Sequence, residues 1–175
     1  MNPGYSIIPA RPEHIEPLPT IELAAATLLR GHAPDHVLAE ATSLDELKDA
    51  QAEGRLWVAL ADDSPVGLAL IEILDAHTVH LKEVDVHPRH GRRGIGAALV
   101  SAVLEWAARS AYRQVTLTTF RGVPWNMPFY ARLGFEELPR AEWPPPLRAI
   151  VAAEAARGLD PERRVVMIRT LGGER

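Results

Sequence analysis

No cysteine occurs anywhere in the 175-residue chain, which excludes a disulfide frame, a zinc–thiolate centre and a cysteine nucleophile. Lysine is almost missing too: apart from Lys48 and Lys82, all 19 basic residues are arginine. That bias reads as genome composition rather than as a set of phosphate clamps. No basic excess exists either, since 23 acidic residues leave a formal charge of −4; a broad basic face for nucleic acid is therefore not expected. Every apolar stretch is interrupted by charge within a few residues, so no membrane span is expected. Met1 to Pro9 lacks the basic and apolar regions of an export signal, and a cytoplasmic chain is the expectation. Internal repeats and linker-like tracts are also lacking.

What remains is a folded chain, 47% apolar, with 24% charged residues of both signs. At roughly 100–200 residues per domain, positions 1–175 read as one domain. Such a length buries about 70% of the unfolded surface, enough for a core without staples.

Tyr5 to Pro9 reads as a short first strand. Arg11-Pro-Glu-His14 then opens a helical region, because proline and an acid suit the free N–H groups and dipole of a first turn. Ile15, Leu18, Ile21, Leu23 and Leu28 supply apolar surface through Arg30, with Pro17 and Pro19 expected to split or kink the region. Ser43-Leu-Asp-Glu46 is a capping-box start, and Gly54 the matching stop. Leu56 to Ala61 and Val66 to Leu74 read as strands joined by a hairpin at Asp62-Asp-Ser-Pro65. His80 to Val86 alternates as a third. Gly94 to Ala111 forms the clearest helix, with Ile95, Leu99, Val103 and Trp106 on one face. Val115 to Phe120 is a strand, and Asn126 caps a short helix that Gly134 stops. Pro144-Pro-Pro146 precedes an amphipathic helix, about Leu147 to Arg157, in an inserted segment at about 142–163. Arg164 to Thr170 closes the chain as a strand. This order implies a mixed α/β (α+β) fold, a sheet with helices packed on it.

The chemistry concentrates in the stretch from His80 to Leu99, where a strand enters a loop of glycine and arginine that feeds straight into a helix. The first turn of a helix holds N–H groups with no internal partner at the positive end of the dipole, a place for an anion. Gly91, Gly94 and Gly96 are expected to allow positive φ and close approach of the backbone to a phosphate. Arg89, Arg92 and Arg93 add charge that does not titrate near neutrality. The alternative, glycines that merely shape a turn, leaves three arginines repelling each other. Two nucleotide motifs fail on residues: Leu99 stands where a dinucleotide fingerprint needs its third glycine, and no lysine is present for a P-loop.

Val84-Asp-Val-His-Pro88 followed by Arg-Arg-Gly-Ile-Gly-Ala-Ala-Leu99 resembles the acetyl-coenzyme A motif of the GNAT superfamily of N-acetyltransferases. One departure is visible: Gly91 stands where Gln or Arg is usual, and Arg92 where Gly is common. A second stretch, Asn126-Met-Pro-Phe-Tyr-Ala-Arg-Leu-Gly-Phe135, is similar to that family's C-terminal signature, with a shorter Asn-to-Tyr spacing. The resemblance covers about residues 4–137 and the last strand, and leaves 142–163 unaccounted for. It implies a central, mostly antiparallel twisted sheet flanked by helices and splayed between strands 4 and 5. It further implies acetyl-CoA as co-substrate, contacted by Val84, Asp85, Val86, Gly91, Arg92, Arg93, Gly94, Ile95, Gly96, Ala97 and Asn126. A homodimer is compatible with it.

Acetyl transfer to a primary amine needs a proton acceptor, a polarised carbonyl and a partner for the leaving thiolate. Tyr130, at the position matching the family's motif tyrosine, reads as the acid, against an aromatic that only tethers its helix. Glu83 and His80 are candidates for the base. Three residues apart, they face opposite ways on a regular strand, so only one meets the cleft unless a bulge intervenes. Asp85, out of phase with both valines, is expected on the helix side or in solvent. Trp125 reads equally as a stacking surface for the acceptor and as a seal on the core; with Glu83 it completes the expected substrate side. The histidines lack metal-ligand spacing, so no metal is expected. Without cysteine or a serine elbow, direct attack in a ternary complex is the expected route. The acceptor is expected to be a small-molecule amine. The alternative is a CoA-binding sensor or partner-binding module that keeps the fold without turnover.

Overall fold

A computed structural model describes residues 4–172; the first three residues of the stretch read for an export signal lie outside them. Strand β1 (Ser6–Pro9) is followed by helices α1 (Leu18–Ala26), α2 (Asp35–Leu38) and α3 (Leu44–Ala52). Strands β2 (Leu56–Ala61), β3 (Ser64–Ile73) and β4 (Thr78–Val86) lead to helix α4 (Ile95–Arg109). Strand β5 (Gln114–Phe120), helix α5 (Asn126–Arg132), strand β6 (Glu136–Glu137), helix α6 (Pro145–Ala156) and strand β7 (Arg164–Thr170) complete the order. Among the described residues all strands join one seven-stranded sheet, β1-β2-β3-β4-β5-β7-β6, in which only β4 and β5 run parallel.

Local chemistry explains most boundaries. The β2–β3 turn places Asp62 and Asp63 at φ 48° and 62°, the left-handed pair that a tight hairpin matching the strand twist requires. The Ser43 hydroxyl accepts the Glu46 N–H at 3.2 Å at the start of α3. Pro17 and Pro19 do split the early region, and they do so by opening α1: the first helical turn needs no proline N–H. A separate 3-10 turn at Pro12–His14 precedes them. The cap of α5 is Trp125, whose carbonyl accepts from Phe129 N at 3.1 Å. Asn126, expected as the cap, is instead the first helical residue.

Helix α4 covers one face of the sheet, burying Leu99, Val100 and Val103 against Val79, Leu81, Val115 and Leu117. The opposite face carries α1 and α3, through Leu18, Ile21 and Leu47 against Val58, Leu68 and Leu70. Helix α6 lies on that same opposite face, with Leu147 and Val151 on Val166. In β7 the neighbours Val165 and Met167 belong to the α4 side, as strand alternation demands.

Two irregularities shape the centre. Leu70 pairs with Glu83 but Ile71 with Leu81, so Lys82 is an extra residue, a β-bulge in β4. The parallel β4–β5 pairing runs from Thr78–Gln114 to Leu81–Leu117 and stops there. Beyond that point β4 continues to Val86 and β5 to Phe120, and the two strands part. The expected splay between strands 4 and 5 is present.

Candidate active site

The splay opens into a cavity of about 920 Å³ lined by β4, β5, α1, α2 and the starts of α4 and α5, with Glu154, Arg157 and Arg164 on its far side. At one end lies the loop before α4. The backbone N–H groups from Arg92 to Ala97 donate to no acceptor among the described residues. Positive φ falls at Arg92 (60°) and Gly94 (78°). Gly91 is extended, at φ −65°, so the expectation of left-handed backbone at all three glycines is corrected. Gly96 is helical, and a Cβ there would lie in ordinary van der Waals contact, 3.4 Å from the Phe129 ring. Arg92 thus keeps the left-handed turn at a position where glycine would be cheaper. Gly91, Arg92, Gly94, Ile95, Gly96 and Ala97 line the cavity, as does Asn126. Arg93 is exposed and outside the lining. Unengaged amides on a long helix, with one arginine beside them, suit a pyrophosphate.

The middle of the cavity is the free edge of β4. His87 N–H donates to the Val66 carbonyl at 2.8 Å. Alternation along the strand therefore turns the N–H groups of Val86 and Val84 away from β3 and into the gap. Side chains follow the bulge. With Lys82 extra, Glu83 and Asp85 lie opposite Leu70 and Leu68, and His80 opposite Glu72, all on the α1 face. The condition under which His80 and Glu83 would share a face is met, and Asp85 joins them.

They nevertheless sit in different surroundings. His80 is buried where β4 and β5 are still paired; its Nδ1 lies 2.9 Å from Thr116 Oγ1, and it does not line the cavity. Burial pushes the imidazole down to about 4, although the Glu154 charge opposes this. Glu83 and Asp85 both line the cavity, two residues apart on the same face of β4 and within reach of a shared proton. Burial, then the Glu22 charge, pushes Glu83 up to about 7. Burial and the neighbouring Glu83 hold Asp85 well above the usual carboxylate range. Tyr130 lines the cavity on α5, its ring edge-on to Phe129 and Phe135 at 4.9 and 5.9 Å. Burial, with the Asp85 and Glu83 charges adding to it, raises its phenol above the ordinary value, so it stays protonated. Trp125 is half-exposed at the rim, edge-on to His32 at 5.8 Å.

Several cavity residues were not singled out by sequence reasoning. Arg164 donates to both Glu154 oxygens at 2.9 and 3.1 Å, and Thr118 to Glu154 at 2.6 Å. This buried ion pair ties α6 to the sheet. Glu22 had a legible signal: with Leu18, Ile21 and Ala25 it falls on the i, i+3, i+4, i+7 stripe of α1, a charge on an apolar face. Residues Glu154 and Arg164 carried none, because the pair forms only across the fold.

This arrangement, a sheet parted beside a helix N-terminus that faces a pair of carboxyls, defines an acyl-transfer fold. A sequence profile described as the Acetyltransferase (GNAT) family matches residues 24–135, and the chain belongs to that family; it is an acyltransferase. Solved structures agree on the fold. The PaiA N-acetyltransferase from Thermoplasma acidophilum, in complex with coenzyme A, is similar at TM-score 0.75 and 14% identity, over 95% of this chain and 98% of that one. The ribosomal-protein-S18-alanine N-acetyltransferase from Escherichia coli gives 0.68 and 16%, over 98% and 96%. N-acetylglutamate synthase from Neisseria gonorrhoeae, complexed with coenzyme A and N-acetyl-glutamate, gives 0.71 and 16%, over 97% of this chain and 35% of that one. Among the described residues no helix is long and apolar enough to cross a membrane.

Proposed function

We propose that the protein transfers an acetyl group from acetyl-CoA to the primary amine of a small molecule by direct attack within a ternary complex. The observation that carries this reading is the convergence, in one cavity, of unengaged amides at 92–97, a free β4 edge and the Glu83–Asp85 pair with Tyr130. Acetyl-CoA supplies the activated acetyl group. The amides of Arg92 to Ala97, with Arg92 and Asn126 beside them, hold its pyrophosphate. Val84 and Val86 N–H groups, aimed into the gap, stabilise the thioester oxygen as it gains negative charge.

Glu83, sharing a hydrogen bond with Asp85 and about half ionised at neutral pH, accepts the proton of the attacking amine. The new N–C bond forms as the C–S bond breaks, and the second proton that nitrogen loses ends on the departing sulfur. Tyr130 steadies the departing thiolate by donating a hydrogen bond. Its raised phenol pKa, above a thiol's ordinary value of about 8.5, keeps the proton on the ring while the charge passes to sulfur. His80, neutral and fastened to Thr116, positions β5 against β4 rather than moving protons.

The test is thiol release from acetyl-CoA across a panel of primary amines, with coenzyme binding followed by calorimetry. Amine-dependent release is the expected result. Tight coenzyme binding with no release from any amine would replace this reading with that of a binding-only module, which needs the cradle but neither carboxyl.

A further inference from the structure

Glu22 of α1 is buried, with 6% of its surface exposed. Its Oε2 accepts from the Thr42 N–H at 2.8 Å and the Thr42 hydroxyl at 3.1 Å. The Oε1 atom is buried without any partner. An orphaned carboxylate oxygen is costly unless a donor arrives. Glu22 lines the same cavity as Glu83 and Asp85, and its charge acts on both of them.

Three of the cations that line the cavity are already taken. Lys82 pairs with Glu46, Arg157 with Glu40 at 2.7 Å, and Arg164 with Glu154 at 2.9 Å. Among the described residues, the three carboxyls of Glu22, Glu83 and Asp85 have no protein ion pair of their own. The proton that an incoming amine surrenders neutralises the Glu83–Asp85 pair but leaves Glu22 without a counter-charge of its own. The α1–α2 region also lends the cavity aliphatic lining, through Ala25, Leu28, Leu29, Val37 and Leu38.

We propose that Glu22 is a specificity-determining residue that holds a second, permanently protonated ammonium group, so that the acceptor is an aliphatic diamine or polyamine. Glu22 Oε1 receives the distal ammonium, the α1–α2 wall covers the methylene spacer, and the near amine meets the Glu83–Asp85 pair. This assignment rests on the transfer reading above only for the near amine; the distal-ammonium site is a matter of binding.

Calorimetry on the CoA-loaded full-length protein tests it, with putrescine, butylamine and γ-aminobutyrate as probes of equal chain length. Putrescine is expected to bind about tenfold or more tightly than butylamine, the scale of one hydrogen bond between charged groups. γ-Aminobutyrate is expected to bind weakest. Glu22→Gln keeps the Thr42 hydrogen bonds, and unchanged CoA affinity in that variant reports that it folds; putrescine's advantage is expected to vanish there. Equal binding of putrescine and butylamine, an advantage that survives Glu22→Gln, or preference for γ-aminobutyrate would each overturn the assignment. Thiol release separates the two readings. Butylamine acetylated as fast as putrescine would sink the diamine site alone, whereas Glu22-dependent putrescine binding without release would sink the transfer reading alone.

Discussion

Replacing Glu83 with glutamine should change the shape of the pH–rate profile as well as its height. Burial and the Glu22 charge raise the Glu83 carboxyl from 4.5 to about 7, against the opposing effects of Lys82, Arg157 and the hydrogen bond with Asp85. A base of that pKa is about one-tenth ionised at pH 6 and about nine-tenths at pH 8. In the unmodified enzyme kcat/KM should therefore climb steeply up to about pH 7 and level off above it, because an acceptor bound as the ammonium loses its proton inside the complex. Without Glu83 the amine must arrive neutral. The glutamine variant should then rise about tenfold per pH unit towards the amine's own pKa near about 10, taking the lysine ammonium as guide. At neutral pH the deficit should be about 10²–10⁴-fold, the range for a general base. Initial rates of thiol release at subsaturating acceptor, from about pH 5.5 to about 9.5 at fixed ionic strength, give both curves. A break near 7 that persists in the variant, or no break in the parent enzyme, would refute the assignment of Glu83.

The same carboxyl makes a stability prediction. Its folded pKa lies above the unfolded one, so its contribution is complete below about 4.5 and is lost as pH rises through about 7. Melting temperatures should thus favour Glu83→Gln increasingly across that window, and a difference independent of pH would contradict it. Tyr130→Phe should lower kcat by about 10²–10³-fold, the scale of one lost donor to a developing charge, with coenzyme affinity unchanged by calorimetry; undiminished turnover would remove the phenol from the reaction. Arg92→Gly relieves a left-handed backbone that costs a non-glycine residue about 1–2 kcal/mol. It should therefore raise or preserve the melting temperature while weakening CoA binding, and unchanged CoA affinity would separate Arg92 from the phosphates. Arg164→Met strands the buried Glu154 carboxylate and should cost about 3–5 kcal/mol by urea unfolding. A loss under about 1 kcal/mol would mean that the pair is solvated.

The placement of Glu83, Asp85 and His80 shows how a single backbone event can decide a site. On a regular strand Glu83 and His80 would point apart. The extra residue at Lys82 turns both to the α1 face, and the end of β4–β5 pairing at Leu81 then separates their fates. His80, on the paired side, is enclosed and neutral, whereas Glu83, just beyond it, meets the cavity. Burial lowers the pKa of the first and raises that of the second, because in each case it disfavours the charged form.

Much was legible in the chain alone because it depends on neighbours in sequence. Capping at Ser43, the Asp62–Asp63 hairpin, the apolar face of α4 and the glycine–arginine run at a helix start are all set by local geometry and by periodicity. The family followed from two such runs in order. Long-range encounters were not legible. The bulge at Lys82 is a mismatch between two strands, the Glu154–Arg164 pair joins α6 to β7, and Glu22 reaches the site only because α1 packs beside β4. A charge's pKa, and so its chemistry, depends on which apolar surfaces exclude water around it, and those surfaces come together only when the sheet and its helices close.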